Sequence, residues 1–240
     1  MRYPNSNLNH QKGVALYIVI VMLFLSMLLA LWASRTSIFS EMVTGNDADY
    51  QRAFDAAQVM IQDATDDIYN NTYKKNSAAI RKNNTTLIPN YETYTNWIST
   101  LEAQSSGCKD GVCLPRLGAQ NFWDDEAELE KMLAVGARYK TYSAPASNQN
   151  IPNPILTYTD ANKGAWYWIE PIPMAVQDGG SMASVIAGSG QAKTNIDMIY
   201  RVTSIAFGIK GSGTSTDIAD RPKTMAVIQT LLAMPADAGE

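Results

Sequence analysis

The chain has 240 residues, of which 46% are apolar and 18% are charged. A chain of this length is typical of one globular domain with one additional element. Removing the two bases of the N-terminal segment from the 19 Lys and Arg leaves 17 against 23 Asp and Glu, a formal charge near −6 for the remainder. This negative balance argues against nucleic acid as a partner, because phosphate binding requires a basic surface.

The additional element is an apolar run over residues 14–32, VALYIVIVMLFLSMLLALW, which contains no charge, proline or glycine. Nineteen such residues form a helix of roughly 28 Å, close to the hydrocarbon thickness of a bilayer. The preceding segment, MRYPNSNLNHQKG, contains Arg2 and Lys12 but no acid. Because basic flanks stay on the cytoplasmic side, the sequence predicts a single-pass protein whose body lies across the membrane.

An ordinary secretory signal is the alternative interpretation of this run. Such signals have an apolar core of about 7–15 residues followed by a cleavage site of small residues. The run here is longer, although Ala30, Ala33 and Ser34 could form a poor cleavage site. A signal-anchored periplasmic protein therefore remains an alternative.

The apolar run continues into an amphipathic segment. Its apolar residues recur at the spacing of one helix face: Tyr50, Ala53, Phe54, Ala57, Met60, Ile61, Ala64 and Ile68. The opposite face is predicted to hold Asp49, Arg52, Asp55, Gln58, Gln62 and Asp66. We predict one long helix over residues 14–69, with a local weak point or a melted turn at Gly45 and Asn46, which are poor helix-interior residues. Its second half is expected to pack on a globular head formed by residues 70–240.

Within the head, the pattern predicts helices and three strands. Helical spacing occurs at Tyr94, Trp97, Ile98 and Leu101. A second helix is expected to begin with the acids at 124–130 and to end with bases. Residues 143–163 are expected to form a long loop. Strands are predicted at 165–172, 198–209 and 223–234, joined by long Gly- and Ser-rich loops. The predicted fold class is α+β, with an antiparallel sheet packed on the long helix.

The two cysteines, Cys108 and Cys113, lie in the segment CKDGVC. In a body exported to an oxidising compartment, so close a pair predicts a disulfide. A metal or redox pair is the alternative, but a metal needs more ligands, and the only histidine, His10, precedes the apolar run.

No catalytic constellation is recognised, and we expect neither an enzyme nor a cofactor. The body beyond residue 13 has no histidine, which excludes Ser-His-Asp and Cys-His mechanisms there. The acids Asp124, Asp125, Glu126, Glu128 and Glu130 could bind Ca²⁺, but an acidic helix start explains them equally well. Trp166, Tyr167 and Trp168 are expected to expose alternate residues, either as core or as a contact surface for a neighbouring subunit.

The junction KG|VALYIVIVM resembles a prepilin signal, in which a basic residue and a glycine precede an apolar helix that is retained. The resemblance implies that an inner-membrane prepilin peptidase cuts between Gly13 and Val14 and that the new N-terminus, Val14, is methylated. Residues 1–13 would then be a leader. A glycine at this position admits the backbone closely to a protease.

Three further elements resemble the PilX family of type IV pilus minor pilins. They are MVTGNDADYQRAFDAAQVMIQDA at 42–64, the Gly-x-Cys-x-Pro element at Gly111, Cys113 and Pro115, and YRVTSIAFG at 200–208 followed by VIQTLLA at 227–233. The resemblance implies a pilin-like fold and a minor pilin in a priming or tip complex. It implies other minor pilins, the major pilin and a PilY-type tip adhesin as partners. The chain would lie in the inner membrane before assembly and in the extracellular pilus afterwards.

Ile18 departs from the general pilin pattern, in which the fifth mature residue is a glutamate. In pilins this carboxylate is thought to pair with the N-terminal amine of the subunit added before it. A subunit at the end of a fibre needs no such partner, so Ile18 favours a tip or initiating subunit. The K-type minor pseudopilin of type II secretion also lacks this glutamate, and a minor pseudopilin remains the main alternative function.

Overall fold

A computed structural model describes residues 12–72, 88–89, 94–143, 153–173, 198–210 and 221–233. The chain divides into two compact units, one up to Ala48 and the other from Asp49 onward. The second unit contains all the strands that the structure describes.

Helix α1 extends over Lys12–Thr72 as one helix of 61 residues, which confirms the long helix predicted over 14–69. The melted turn expected at Gly45 and Asn46 is wrong, because the helix continues through both residues. One glycine costs roughly 1 kcal/mol relative to alanine, whereas restarting a helix after an interruption requires a new and unfavourable nucleus. A long helix therefore tolerates Gly45 and Asn46 in its interior.

The centre of the head is a sheet whose three long strands match the predicted ones. They are β4 (Ala165–Pro173), β5 (Met198–Phe207) and β6 (Met225–Ala233). Strand β5 pairs antiparallel with both neighbours in nine consecutive pairs on each side, so the register is unbroken.

Three short strands complete the other side of the sheet. They are β1 (Cys108–Lys109), β2 (Val112–Cys113) and β3 (Ala137–Arg138). The sheet order is β1-β2-β4-β5-β6, and β3 pairs with β4. The three long strands pair antiparallel, as predicted, but β2 runs parallel to β4 where Val112 meets Ile169, so the sheet as a whole is mixed and not antiparallel throughout.

One face of the sheet packs on the second half of α1. Small residues of the helix face the strands, and the Ser204 hydroxyl donates to the Ala57 carbonyl at 2.9 Å. This core also includes α2 (Tyr94–Glu102) through Trp97 and Leu101. The contact confirms the predicted packing of the amphipathic segment on the head.

The opposite face of the sheet is covered by α3 (Glu126–Val135) and by the β1–β2 hairpin. Trp166 and Trp168 point into this second core, and Tyr167 points into the first, so all three are buried. The expected alternate exposure of this strand is wrong because both faces of the sheet are covered. Core packing is confirmed.

Helix α3 also differs from the prediction at its end. The helix stops at Val135, and its last turn contains no base. Arg138 lies in β3 instead, where its guanidinium stacks on the Trp166 ring at 4.0 Å and donates to the Tyr158 and Lys163 carbonyls. Part of the predicted loop 143–163 is the short 3₁₀ helix Pro154–Thr157; residues 144–152 lie outside the described part of the chain.

Candidate functional site

The first candidate site is the apolar half of α1. Every side chain over residues 14–44 is exposed, including Trp32 at 77%. The most apolar window of this helix has a mean hydropathy of 2.9, so the helix is long and apolar enough to cross a membrane. Apolar surface of this extent is unfavourable in water, and covering it with lipid or with other apolar helices removes that cost.

The predicted processing site lies at the beginning of this helix. Gly13 and Val14 both fall in the first turn of α1, which begins at Lys12. Val14 and Ile18 are exposed. Residues 1–11, and with them most of the predicted leader and His10, lie outside the described residues. Cleavage after Gly13 and methylation of Val14 therefore stay predictions.

Three buried aspartates of α1 join the helix to the head. Asp49, Asp63 and Asp67 are each at most 4% exposed. The predicted place of Asp49 on the polar face is wrong, and the burial of Asp63 and Asp67 was not predicted. Their spacing places them on the buried face, because Asp49 lies four residues before Ala53, Asp63 three residues after Met60 and Asp67 three residues after Ala64.

Asp49 binds the chain that follows β5. Its Oδ1 accepts from the backbone amides of Ile209 at 2.8 Å and Lys210 at 3.2 Å. The approach leaves no room for a side chain at Gly208, since a Cβ there would lie 2.1 Å from Asp49 Oδ2. Asp49 thus satisfies two backbone donors at the end of a central strand.

Asp63 and Asp67 bind two other parts of the head. Asp63 accepts from the Lys140 amide at 2.7 Å and from the Ser143 hydroxyl. Asp67 accepts from the Tyr167 hydroxyl at 2.8 Å. Together the two carboxylates connect α1 to the segment after β3 and to strand β4.

Burial raises the pKa of Asp63 from 3.8 to about 6, with a smaller contribution from the charges of Asp67 and Asp66. The hydrogen bonds from Ser143 and Lys140 oppose this rise. Because the folded chain holds this proton more tightly than the unfolded chain, the contribution is stabilising at low pH and is lost as the pH rises from about 4 to 6.

We expect replacement of Asp63 by asparagine to remove this pH dependence. Relative to the Asp63→Asn variant, the natural chain should gain roughly 2 kcal/mol of unfolding free energy between pH 7 and pH 4. Urea denaturation of both full-length chains in detergent, followed by tryptophan fluorescence, measures the difference. The two chains share every other carboxylate, so a constant difference across this pH range would contradict the assignment.

The predicted disulfide between Cys108 and Cys113 is confirmed and lies in the second core. The turn between them places Gly111 against two other elements. Its amide donates to the Val135 carbonyl and its carbonyl accepts from the Ile169 amide, both at 2.7 Å. The bridge and these bonds hold the hairpin against β4 and the end of α3.

The acidic cluster at 124–130 acts as a helix start. The Asp125 carboxylate accepts from the amides of Ala127 at 2.9 Å and Glu128 at 3.0 Å, as an N-cap residue does. Within the described part of the chain, no group of three or more His, Cys, Asp or Glu is placed to hold a metal ion.

A second charged network was missed from the sequence. Glu170 of β4 is buried between Arg201, with which it forms an ion pair, and Arg116, whose Nε lies 3.7 Å from its Oε1. Arg116 also stacks on Phe122, with 4.5 Å between its Cζ and the ring centroid. Burial raises the pKa of Glu170, and the charges of Arg201 and Arg116 oppose the rise. The residues are far apart in sequence, so only the strand register brings them together.

No family model, no curated protein sequence and no solved structure matches this chain significantly.

Proposed function

We propose that the chain is a minor pilin that takes part in type IV pilus assembly, in the priming or tip complex that presents a PilY-type adhesin. The observation that carries this proposal is the two-part helix α1. Its first part is apolar and exposed over residues 14–44, and one face of its second part is buried in the head from Asp49 to Ile68. A helix with these two parts suits a subunit whose head is soluble and whose apolar half packs in lipid or against other helices.

In this proposal the apolar part has two environments. It lies in the lipid of the inner membrane before assembly, and among the apolar helices of the other minor pilins and the major pilin afterwards. Moving one Leu, Ile or Val side chain out of water and into either environment contributes roughly 1.5–3 kcal/mol. Transfer from lipid to a helix bundle gives less, because packing alone then drives association. After assembly, the head lies in the extracellular pilus.

In this proposal, processing of the leader prepares the helix to leave the membrane and enter the fibre. Prepilin peptidase is proposed to remove the leader after Gly13 and to methylate Val14. The uncharged, exposed Ile18 supports a place at the end of the fibre. A glutamate at bilayer depth is costly unless it is paired, and a terminal subunit has no neighbour to pair it.

The buried aspartates support the same role. Asp49, Asp63 and Asp67 attach the head to α1 through hydrogen bonds to three separate segments. Hydrogen bonds to charged groups contribute about 1.5–3 kcal/mol each. A head attached at several points stays on its helix when that helix moves out of the membrane.

We expect Gly13→Phe to block processing, because a large side chain prevents close approach of the backbone to the peptidase. The chain should stay in the inner membrane with residues 1–13 attached, and pili should be lost or strongly reduced. Intact mass of the membrane-extracted chain and electron microscopy of cells measure both results. Gly45→Ala, a glycine of the same helix that lies far from the junction, is the matched control and should mature normally. Normal maturation of Gly13→Phe together with normal piliation would contradict the proposed function.

A further inference from the structure

The charged cluster around Glu170 contains more positive than negative charge. Arg201 forms an ion pair with the Glu170 carboxylate, and Arg116 Nε lies 3.7 Å from Glu170 Oε1. The other acid whose charge acts on Arg116 is Glu128. Glu128, however, forms its own ion pair with Lys131, at 2.7 Å. Because this cluster combines three bases with two acids, one positive charge is in excess.

The guanidinium of Arg116 lacks a strong hydrogen-bond acceptor. Its Nη2 donates to the Met132 thioether at 2.7 Å, and a thioether is a weak acceptor. The 3.7 Å between Arg116 Nε and Glu170 Oε1 is too long for a hydrogen bond. Since an arginine has several N–H donors, Arg116 keeps donors that no oxygen of the described residues accepts.

The surroundings of Arg116 do not fully stabilise its charge. Burial lowers the pKa of Arg116, and the charges of Glu170 and Glu128 oppose this fall without reversing it. The like charge of Arg201 adds to the fall. The Arg116 side chain is 24% exposed, so a molecule in solution can reach it. A further carboxylate at the exposed side of the guanidinium would offset the cost of its burial.

The position of this guanidinium is fixed by the head. It stacks on Phe122 with 4.5 Å between its Cζ and the ring centroid. The Arg116 carbonyl accepts from Arg201 Nη2 at 3.1 Å and from Gln120 Nε2 at 2.9 Å. Arginine binds a carboxylate through two parallel hydrogen bonds, and a guanidinium that is already held loses less conformational entropy on binding.

The same loop presents an apolar side chain next to the cation. Leu117 is 99% exposed, more than any other large apolar residue that the structure describes. Gln120 holds the loop on both sides of Leu117 by donating to the carbonyls of Arg116 and Gly118. A partner whose carboxylate reaches Arg116 can therefore place an adjacent apolar group on Leu117, and removing that surface from water would add to binding.

The charge of the whole body favours one carboxylate over a polyanion. Beyond residue 13 the chain has 17 Lys and Arg against 23 Asp and Glu, a formal charge near −6. A nucleic acid or another phosphate-rich surface would be repelled by this body. One excess positive charge beside one exposed leucine instead matches an acidic residue with an apolar neighbour.

We propose that Arg116 and Leu117 form a docking site for an acidic segment of another protein, in which one carboxylate binds Arg116 and an adjacent apolar side chain covers Leu117. The site does not depend on pilus assembly, so either proposal can fail without the other.

The test uses the full-length chain, immobilised in non-ionic detergent, and a short peptide with one glutamate between two leucines. Its twin carries glutamine in place of the glutamate, so the two peptides differ by one charge. Surface plasmon resonance, with each peptide raised to about 10 mM, should show binding of the acidic peptide about tenfold tighter than that of the twin. Added salt should reduce the difference, because the site is partly exposed.

Two variants locate the binding. Arg116→Gln should reduce the affinity for the acidic peptide to that of its twin. Leu117→Glu should do the same, because it places a carboxylate beside Arg116, and its exposed position should leave the urea midpoint unchanged. Arg52→Gln is the matched control, since Arg52 is exposed on α1 and its replacement removes the same charge without changing peptide binding.

Equal binding of the two peptides, no binding of either, or equal weakening by Arg116→Gln and Arg52→Gln would overturn the proposal. So would inorganic phosphate that competes as well as the acidic peptide, because a small anion would then be enough to fill the site. A stable dimer of the chain that Leu117→Glu dissociates would also overturn it, because the site would then serve a second copy.

Discussion

Replacing Trp168 by alanine is expected to lower the free energy of unfolding by about 3–5 kcal/mol, the range measured for buried aromatic residues. The Trp168 side chain is fully buried in the core beneath α3. Its ring packs edge-on against Phe122 with 5.1 Å between centroids, and its Nε1 donates to the Met132 carbonyl at 3.0 Å. Alanine would leave a cavity and an unsatisfied carbonyl, both of which destabilise the folded head.

Leu117→Ala is the matched control for this prediction. Its side chain is almost fully exposed, so its truncation should change the unfolding free energy by less than about 0.5 kcal/mol. Urea denaturation of the full-length variants in detergent, followed by far-ultraviolet circular dichroism, compares the two. A loss below about 1 kcal/mol for Trp168→Ala would show that the second core is not packed as described.

Replacing Gly111 by alanine is expected to cost about 3 kcal/mol, although only one methyl group is added. Gly111 has φ +77°, and its Cβ would lie 2.5 Å from Ala137 Cβ and 3.0 Å from the Ala137 amide nitrogen. The methyl group can be accommodated only if β3 or the cysteine hairpin moves. Either movement weakens the 2.7 Å bonds that Gly111 makes to Val135 and Ile169.

Gly118→Ala separates backbone strain from steric overlap. Gly118 also has a positive φ, +128°, but a Cβ there meets nothing within 4 Å. Its replacement should therefore cost only about 1 kcal/mol, the penalty of the backbone conformation alone. If the two variants lose the same stability in the urea assay above, the close approach of Gly111 to β3 is wrong.

The long elements of this fold could be predicted because each has a clear period. The 3.6-residue spacing from Ala53 to Ile68 identified the buried face of α1, and runs of β-branched and aromatic residues identified β4, β5 and β6. Whether each of these segments is a helix or a strand follows from the spacing of its own apolar residues. The disulfide was also predictable, because the cysteines are only five residues apart.

The short elements were not predictable, because their conformation depends on distant partners. Strands β1, β2 and β3 have two residues each, too few for any periodicity. Whether Trp166 and Trp168 are exposed depends on α3 and the hairpin, which cover the second face of the sheet. Local sequence does not contain that information.

The buried aspartates were missed for a different reason. A carboxylate on an amphipathic helix is usually solvated, and only the tertiary structure supplies the amides and hydroxyls that make its burial acceptable. Asp49 became a core residue because two backbone amides beyond β5 point at it.

The N-terminus of the mature chain tests the central claim most directly. Intact mass and N-terminal sequencing of the chain purified from membranes should show a first residue of methylated Val14, with residues 1–13 absent. A chain that begins at Met1, or one that begins near Arg35 after ordinary signal cleavage, would contradict the account of this protein as a pilin.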